Sequence, residues 1–161
     1  KTHSFRSKLL KELNDKYNLA IYTKDKHKFL SRGFHNVKTF IPINMISKKI
    51  AKINLVLNSN YSSDYCWSNR LHLVIGSSGF SLVENITGLD EFYSDNIHCI
   101  YFNNKNELFE KINYWLLNSN DSRRRDIRFK GFNHAHNYNS YKIKAAFFTE
   151  KIIKFLNNIN N

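Results

Sequence analysis

The sequence has few of the residues that cross-link or bend a chain. Its 161 residues include two cysteines, one proline and five glycines. Cys66 and Cys99 form no Cys-x-x-Cys pair, so the sequence predicts neither a disulfide framework nor a zinc site. Both are interpreted as reduced thiols of a cytoplasmic protein. No apolar run approaches the ~20 residues that cross a bilayer, which predicts that no segment spans a membrane.

Motifs for two kinds of catalysis are also missing. No Asp-x-Asp pair is present to hold a divalent cation against a diphosphate, and no Gly-x-Ser-x-Gly motif supports a serine nucleophile. His134 and His136 are two residues apart, which places them on different sides of a helix, and no acidic or cysteine partner is nearby. The sequence therefore predicts no metal site. His72, within an apolar helix, is predicted to be a hydrogen-bonded core or ligand-edge histidine.

Acidic residues are scarce, with 13 against 25 basic residues and a formal net charge of +12. Such a charge raises the possibility of a nucleic-acid-binding module. Only 7 of the basic residues are arginines, and the abundance of Lys, Asn, Ile, Tyr and Phe is typical of an AT-rich coding sequence. The run of Arg123, Arg124, Arg125 and Arg128 is interpreted as a solvated helix face, with a phosphate-rich partner as the alternative.

What the sequence does contain is enough apolar material for a packed core. Hydrophobic residues make up 42% of the chain and aromatic residues 15%, and the length predicts a single domain over residues 1–161. Apolar periodicity predicts helices over residues 4–17, 43–52, 71–75, 104–118, 120–137 and 140–158, and strands over 19–23, 37–40, 53–58, 80–83 and 97–102. Strands that are continuous apolar runs alternating with helices predict an α/β layer fold with a parallel sheet.

The stretch WSNRLHLVIGSSGFSLVENITGLDEF (67–92) combines the most unusual residue choices. Polar residues and Arg70 precede a predicted apolar helix, and a Gly/Ser turn over Gly76–Gly79 ends it. A short strand, Phe80–Val83, follows, and a second turn is predicted to open a further helix at Gly88. Free backbone N–H groups at helix starts favour anions such as phosphate. In parallel sheets, moreover, ligands lie at the carboxyl ends of the strands.

The order of these pieces resembles a known family. KINLVLN, the stretch 67–92, IHCIYFNNKNELFEKINYWL and SNDSRRRDIRFKGFNHAHNYNSYKIK follow one another as in the C-terminal, nucleotide-sugar-binding domain of GT-B-fold glycosyltransferases. The resemblance is to glycosyl transferases group 1, of the spore-maturation-protein type, and covers roughly residues 4–157. It implies a Rossmann-like three-layer domain, the C-terminal half of a GT-B fold.

The resemblance also implies an activity and a site. The enzyme would transfer a sugar from a nucleotide-diphosphate donor to an unknown acceptor, with retention, and without a metal or any cofactor beyond the donor substrate. Arg70 would be the catalytic residue, because its guanidinium would contact the diphosphate and neutralise the leaving group. The implied donor-binding residues are Ser68, Asn69, Arg70, Ser77, Ser78, Gly79, Thr87, Gly88, Leu89 and Glu91.

Two departures from the family pattern leave other interpretations open. Leu73 stands where many retaining members carry a ribose-binding glutamate, so that contact would have to come from elsewhere, with Glu84 as a candidate. The chain starts at a helix, so the first strand and the acceptor domain are expected to be missing and to belong to a longer protein or a partner chain. A lone donor domain is expected to transfer little. A basic nucleic-acid-binding module and an inert interaction domain that kept the fold remain the alternatives.

Overall fold

The computed structural model describes residues 2–40, 52–57 and 66–159. The predicted helix over 43–52 lies outside these ranges except for its last residue. The chain divides into two compact units, Lys1–Lys49 and Ile50–Asn161, and each is described by itself. The expectation of a single domain stays a prediction.

The first unit is a small α/β layer. Two helices and two strands follow one another as α1 (Thr2–Lys16), β1 (Ala20–Thr23), α2 (Lys26–Leu30) and β2 (Asn36–Thr39). The strands pair in parallel, with Ala20 opposite Asn36. Leu9 and Leu13 are both buried, because residues four positions apart share one face of a helix, and Val37 is the buried residue of β2.

The second unit contains a three-stranded parallel sheet in the order β3-β4-β5. Its strands are β3 (Asn54–Val56), β4 (Ser81–Glu84) and β5 (Ile100–Phe102), and its helices are α3 (Arg70–Gly76), α4 (Lys105–Leu116), α5 (Asp121–Tyr138) and α6 (Tyr141–Ile159). The predicted α/β fold with parallel sheets is confirmed, and the predicted helices and strands of this unit are found close to their expected positions.

The central strand β4 defines the core of this unit. Ser81, Leu82 and Val83 are fully buried, which fits a strand covered on both faces. The core cluster includes residues from all three strands and from two helices: Val56, Leu71, Ile75, Val83, Leu89, Tyr93, Cys99, Tyr101 and Ala135. Cys99 thus lies in the core, as its apolar neighbours in the sequence indicate.

The prediction that a helix opens at Gly88 is wrong in the type and length of the element. The chain forms only a three-residue 3-10 turn, Leu89–Glu91, after Gly88. Gly88 has φ 84°, a left-handed conformation that glycine adopts without steric cost. The side chain of Leu89 is fully buried, so the turn is anchored to the core.

The interpretation of the arginine run as a solvated face is also wrong for two of its members. Arg124 is only 5% exposed, and its guanidinium donates to the backbone carbonyls of Trp115 and Leu117 and pairs with Asp121. Arg128 Nε donates to the carbonyl of Ser78 at 2.6 Å. Arg123 and Arg125 are exposed, and Arg123 donates to the Tyr114 hydroxyl at 2.7 Å.

Helix α6 carries many exposed apolar side chains. The largest of them that are more than half exposed are Tyr141, Phe147, Phe148, Ile152, Ile153, Phe155 and Leu156. Among the helices of the described ranges, none is both long enough and apolar enough to cross a bilayer.

Candidate functional site

The predicted site residues fall into three groups along the second unit. Ser68–Arg70 lie at the start of α3, Ser77–Gly79 follow the end of α3, and Thr87–Glu91 follow β4. Because β3 and β4 are parallel, the segments that follow their carboxyl ends meet at one edge of the sheet. The first and third groups lie on those segments, whereas the second group precedes β4 and lies at the opposite edge.

A ring contact joins the first and third groups. Trp67, immediately before Ser68, packs edge-on against Phe92, immediately after the 3-10 turn, with ring centroids 5.0 Å apart and an interplanar angle of 60°. Leu71 and Leu89 belong to the same buried cluster below this contact. The two segments are therefore fixed relative to each other by packing.

Within the first group, Arg70 is the exposed cation. Its backbone N–H donates to Ser68 Oγ at 3.4 Å, and its side chain, like that of Asn69, faces solvent. No ion pair joins Arg70 to a carboxylate in the part of the chain that the structure describes. The guanidinium is thus available to an anion at this edge.

The third group is mixed in exposure. Thr87 and Glu91 are exposed, whereas Gly88 and Leu89 are buried. The backbone N–H of Leu89 donates to the carbonyl of Ile86 at 3.1 Å, which closes the turn. Leu89 therefore anchors the segment to the core, and among the predicted residues of this group only Thr87 and Glu91 have exposed side chains.

The second group, Ser77–Gly79, terminates α3. The backbone N–H groups of Ser77, Ser78 and Gly79 donate to the last carbonyls of α3, with N···O distances of 3.1, 2.9 and 2.8 Å. Ser78 has φ 60°, a left-handed residue of the kind that commonly terminates helices. A Cβ on Gly79 would lie 2.5 Å from Val74 Cγ1, so the absence of a side chain permits the tight return into β4. The structure does not bring this group to Arg70.

Three residues outside the sequence-predicted site, Trp67, His72 and Tyr93, form a hydrogen-bonded network. Trp67 Nε1 donates to His72 Nε2 at 3.1 Å, and His72 Nδ1 lies 2.9 Å from the Tyr93 hydroxyl. Since an indole N–H can only donate, Nε2 is the unprotonated nitrogen, and Nδ1 carries the proton that it donates to Tyr93. The prediction that His72 is hydrogen-bonded is confirmed. Trp67 and Tyr93 were not predicted. Trp67 lies only five residues from His72, but Tyr93 is 21 residues from it, so the network forms only when the two segments pack together.

Burial determines the ionisation of this network. It lowers the pKa of His72, with a smaller contribution from the Lys144 ammonium, and so keeps the imidazole neutral. It raises the pKa of Tyr93 well above its usual range, so Tyr93 remains a hydroxyl. Neutral forms are what the observed donors and acceptors require.

Leu73, which departs from the family pattern, and Glu84, the candidate for the missing contact, lie in different elements. Leu73 is half-buried within α3, and Glu84 is the last residue of β4, paired in register with Phe102. Beside it, Asn85 Nδ2 donates to Asn103 Oδ1 at 2.9 Å, which places two amides at the carboxyl edge. Among the described residues, no three His, Cys, Asp or Glu side chains come together in a way that could hold a metal ion.

Comparison with known proteins decides the family. A family model described as glycosyl transferase-like matches residues 6–150, nearly the whole chain. The chain belongs to the glycosyl transferase-like family. This confirms the resemblance inferred from the sequence motifs.

A solved structure shares the fold of this glycosyl transferase-like chain. The crystal structure of a glycosyltransferase from Rickettsia africae ESF-5 matches with a TM-score of 0.66 and 16% identity, over 86% of this chain. The chain spans 40% of the length of that structure. The match supports the Rossmann-like half of a GT-B fold. No curated protein matches the chain.

Proposed function

We propose that this chain is the donor-binding part of a glycosyltransferase, which transfers a sugar from a nucleotide-diphosphate donor to an acceptor. The observation that carries the proposal is the position of Arg70. It is an exposed arginine at the start of α3, on the segment that follows the carboxyl edge of the sheet and that contacts Phe92 through Trp67, in a chain of the glycosyl transferase-like family. A guanidinium at that edge is suited to two forked hydrogen bonds with diphosphate oxygens.

In this proposal Arg70 stabilises the negative charge that develops on the leaving nucleoside diphosphate. The side chain bears most of this role, because α3 has only seven residues and contributes a correspondingly weak terminal dipole. Since the guanidinium supplies the positive charge, we expect transfer without a divalent cation. Retention of anomeric configuration stays a prediction that the product's anomeric NMR signal would test.

The proposed donor site is smaller than the sequence-based one. Ser68 and Asn69 offer polar groups beside Arg70, and Thr87 and Glu91 offer side chains from the turn after β4. We leave Ser77, Ser78 and Gly79 out, because they terminate α3 at the opposite edge of the sheet. The acceptor site would be supplied by the rest of a longer protein or by a partner chain.

The first test is binding of UDP, GDP, ADP, TDP and their hexose conjugates, measured by thermal shift and calorimetry without added metal. We expect one nucleotide to stabilise the chain. Arg70→Ala should weaken that binding by at least about ten-fold, because hydrogen bonds to a charged group are each worth roughly 1.5–3 kcal/mol.

The matched control is Arg125→Ala, which removes the same charge from an exposed position on α5. It should leave binding unchanged. Equal losses in both variants, accompanied by steep salt dependence with any polyanion, would indicate a nucleic-acid-binding module instead. Absence of nucleotide binding, with the acceptor half supplied, would indicate an inert domain.

A further inference from the structure

Contacts with Phe92 and His72 fix the orientation of the Trp67 ring. Its ring packs on Phe92, its Nε1 donates to His72, and the rings of Trp67 and His72 lie 6.5 Å apart at 52°. The side chain is nevertheless only half-buried. Because its one polar atom is already bonded, the exposed part of the indole offers a ligand only apolar π surface.

The segment that begins α3 carries an aromatic ring and an exposed cation close together in the sequence. Trp67 lies three residues before Arg70 and contacts the segment that follows the turn after β4. A nucleoside diphosphate has a charged end and a flat aromatic end, separated by a ribose. A guanidinium and an indole on one short segment therefore offer a separate partner to each end.

We propose that Trp67 is the stacking platform for the base of the donor nucleotide, and that His72 is the positioning residue that holds the platform. This inference rests on the proposed function. It assigns a ligand-binding residue outside the sequence-predicted site. It also gives a positioning role to the hydrogen-bonded network that runs from Trp67 through His72 to the Tyr93 hydroxyl.

The opposing interpretation is that Trp67 only covers the core. The indole does pack against the buried cluster. A purely structural tryptophan would affect the stability of the unit, but it would not distinguish a ligand that carries a base from one that does not. That difference defines the experiment.

The experiment compares nucleoside diphosphates with inorganic pyrophosphate by calorimetry. Trp67→Leu should weaken binding of the nucleoside diphosphate by about ten-fold, the usual scale for loss of one aromatic stacking contact, and leave pyrophosphate binding unchanged. Trp67→Phe, which keeps a ring, should lose less. Arg70→Ala should weaken both ligands, so the two ends of the nucleotide are tested separately.

Fluorescence supplies a second measurement on the unaltered chain. The sequence has two tryptophans, and Trp115 is only 3% exposed. A nucleoside diphosphate that stacks on Trp67 should quench the emission of the wild-type chain. The quenching should disappear in Trp67→Phe, in which Trp115 alone emits, although this variant still binds.

The positioning role of His72 has its own pair of variants. His72→Phe removes the acceptor for Trp67 Nε1 and should weaken nucleotide binding but not pyrophosphate binding. His72→Gln offers a side-chain carbonyl as a replacement acceptor and should recover part of the loss. A merely structural histidine would show equal losses for both ligands.

The outcomes separate the two proposals. If nucleoside diphosphates bind and Trp67→Leu binds them as tightly as the wild-type chain, the platform is overturned and the proposed function stands. If neither nucleotides nor pyrophosphate bind the wild-type chain with the acceptor half supplied, both are overturned. Thermal melting of each variant verifies that the fold is intact.

Discussion

Arg124 is a buried cation that serves the end of helix α4. Its guanidinium donates to the carbonyls of Trp115 and Leu117, groups that the end of a helix leaves without intrahelical partners. Burial lowers the pKa of Arg124 from its usual value, and the ion pair with Asp121 compensates part of the lost hydration. The residue ties α5 to the end of α4.

Replacing this side chain should destabilise the protein. Arg124→Ala leaves buried carbonyls without donors, and we expect a loss of about 2–4 kcal/mol in the free energy of unfolding. The adjacent Arg125→Ala, at an exposed position, should change it by less than about 0.5 kcal/mol. Urea unfolding of the two variants measures the difference. Similar stabilities would show that Arg124 is solvated after all.

At the scale of single residues, the sequence identified which residues carry charge, but not which of them are buried. It singled out the arginine run from its charge, but four arginines on one helix point in different directions and meet different neighbours. Arg124 faces the carbonyls at the end of α4, and Arg125 faces solvent. The helical period places Arg124 on the same face as Ile127, Gly131 and Ala135, but the carbonyls that it contacts belong to the end of α4, which only the tertiary structure brings to it.

The turn between α3 and β4 shows how an element is terminated. Gly79 returns the chain so closely over α3 that a Cβ would lie 2.9 Å from the carbonyl oxygen of Val74. Gly76, three residues earlier, has no atom within 4 Å of the corresponding position. Two glycines of one segment thus have different structural requirements.

We expect Gly79→Ala to destabilise the unit by roughly 1–3 kcal/mol, because backbone must shift to admit the methyl group. Gly76→Ala should be neutral or stabilising by up to about 1 kcal/mol, since alanine is the better helix former. Chemical unfolding of both variants measures the contrast. If Gly79→Ala is as stable as the wild type, the turn is looser than the contact distances indicate.

Element positions were largely predictable because each depends on local periodicity. The amphipathic spacing of 104–118 predicted α4, and the apolar run of 80–83 predicted β4, each within a few residues of the observed bounds. The helix at Gly88 could not be judged in the same way. Leu89 is buried in a cluster that also contains Val56 and Tyr101, from strands before and after it, so its burial depends on tertiary packing.

On the scale of the molecule, α5 packs His134 against the loop that leads into β5. His98 accepts a hydrogen bond from the Ser94 N–H at 2.9 Å and stacks on His134, with centroids 4.1 Å apart. Burial, with smaller contributions from the neighbouring His134 and Lys130, lowers the pKa of His98 to about 4. The neutral imidazole is the form that accepts the bond.

This arrangement predicts a loss of stability in mild acid. The unfolded chain protonates His98 near pH 6.5, whereas the folded chain resists protonation until about pH 4. The unfolded state therefore binds more protons between these values, and stability falls as the pH is lowered through that interval. His72, whose pKa is also lowered, acts in the same direction.

The check is the melting temperature of the wild-type chain and of His98→Asn at pH 7.5 and pH 5. Asparagine offers an acceptor oxygen but does not titrate. We expect a smaller drop in the variant than in the wild type, with the remainder due to other groups such as His72. An identical drop in both proteins would rule out His98 as a source of the pH dependence.

The sequence by itself determined the fold class and the family. Alternating helical and strand periods specify α/β layers, and the succession of motifs around Arg70 specified a glycosyl transferase-like chain. These features are local along the chain, so they can be recognised without coordinates. Only the tertiary structure decided which predicted site residues share an edge, that Arg124 is buried, and that Trp67, His72 and Tyr93 form one network. The physical reason is that each of these depends on packing between separate segments, such as α3 against Tyr93 and α5 against the end of α4.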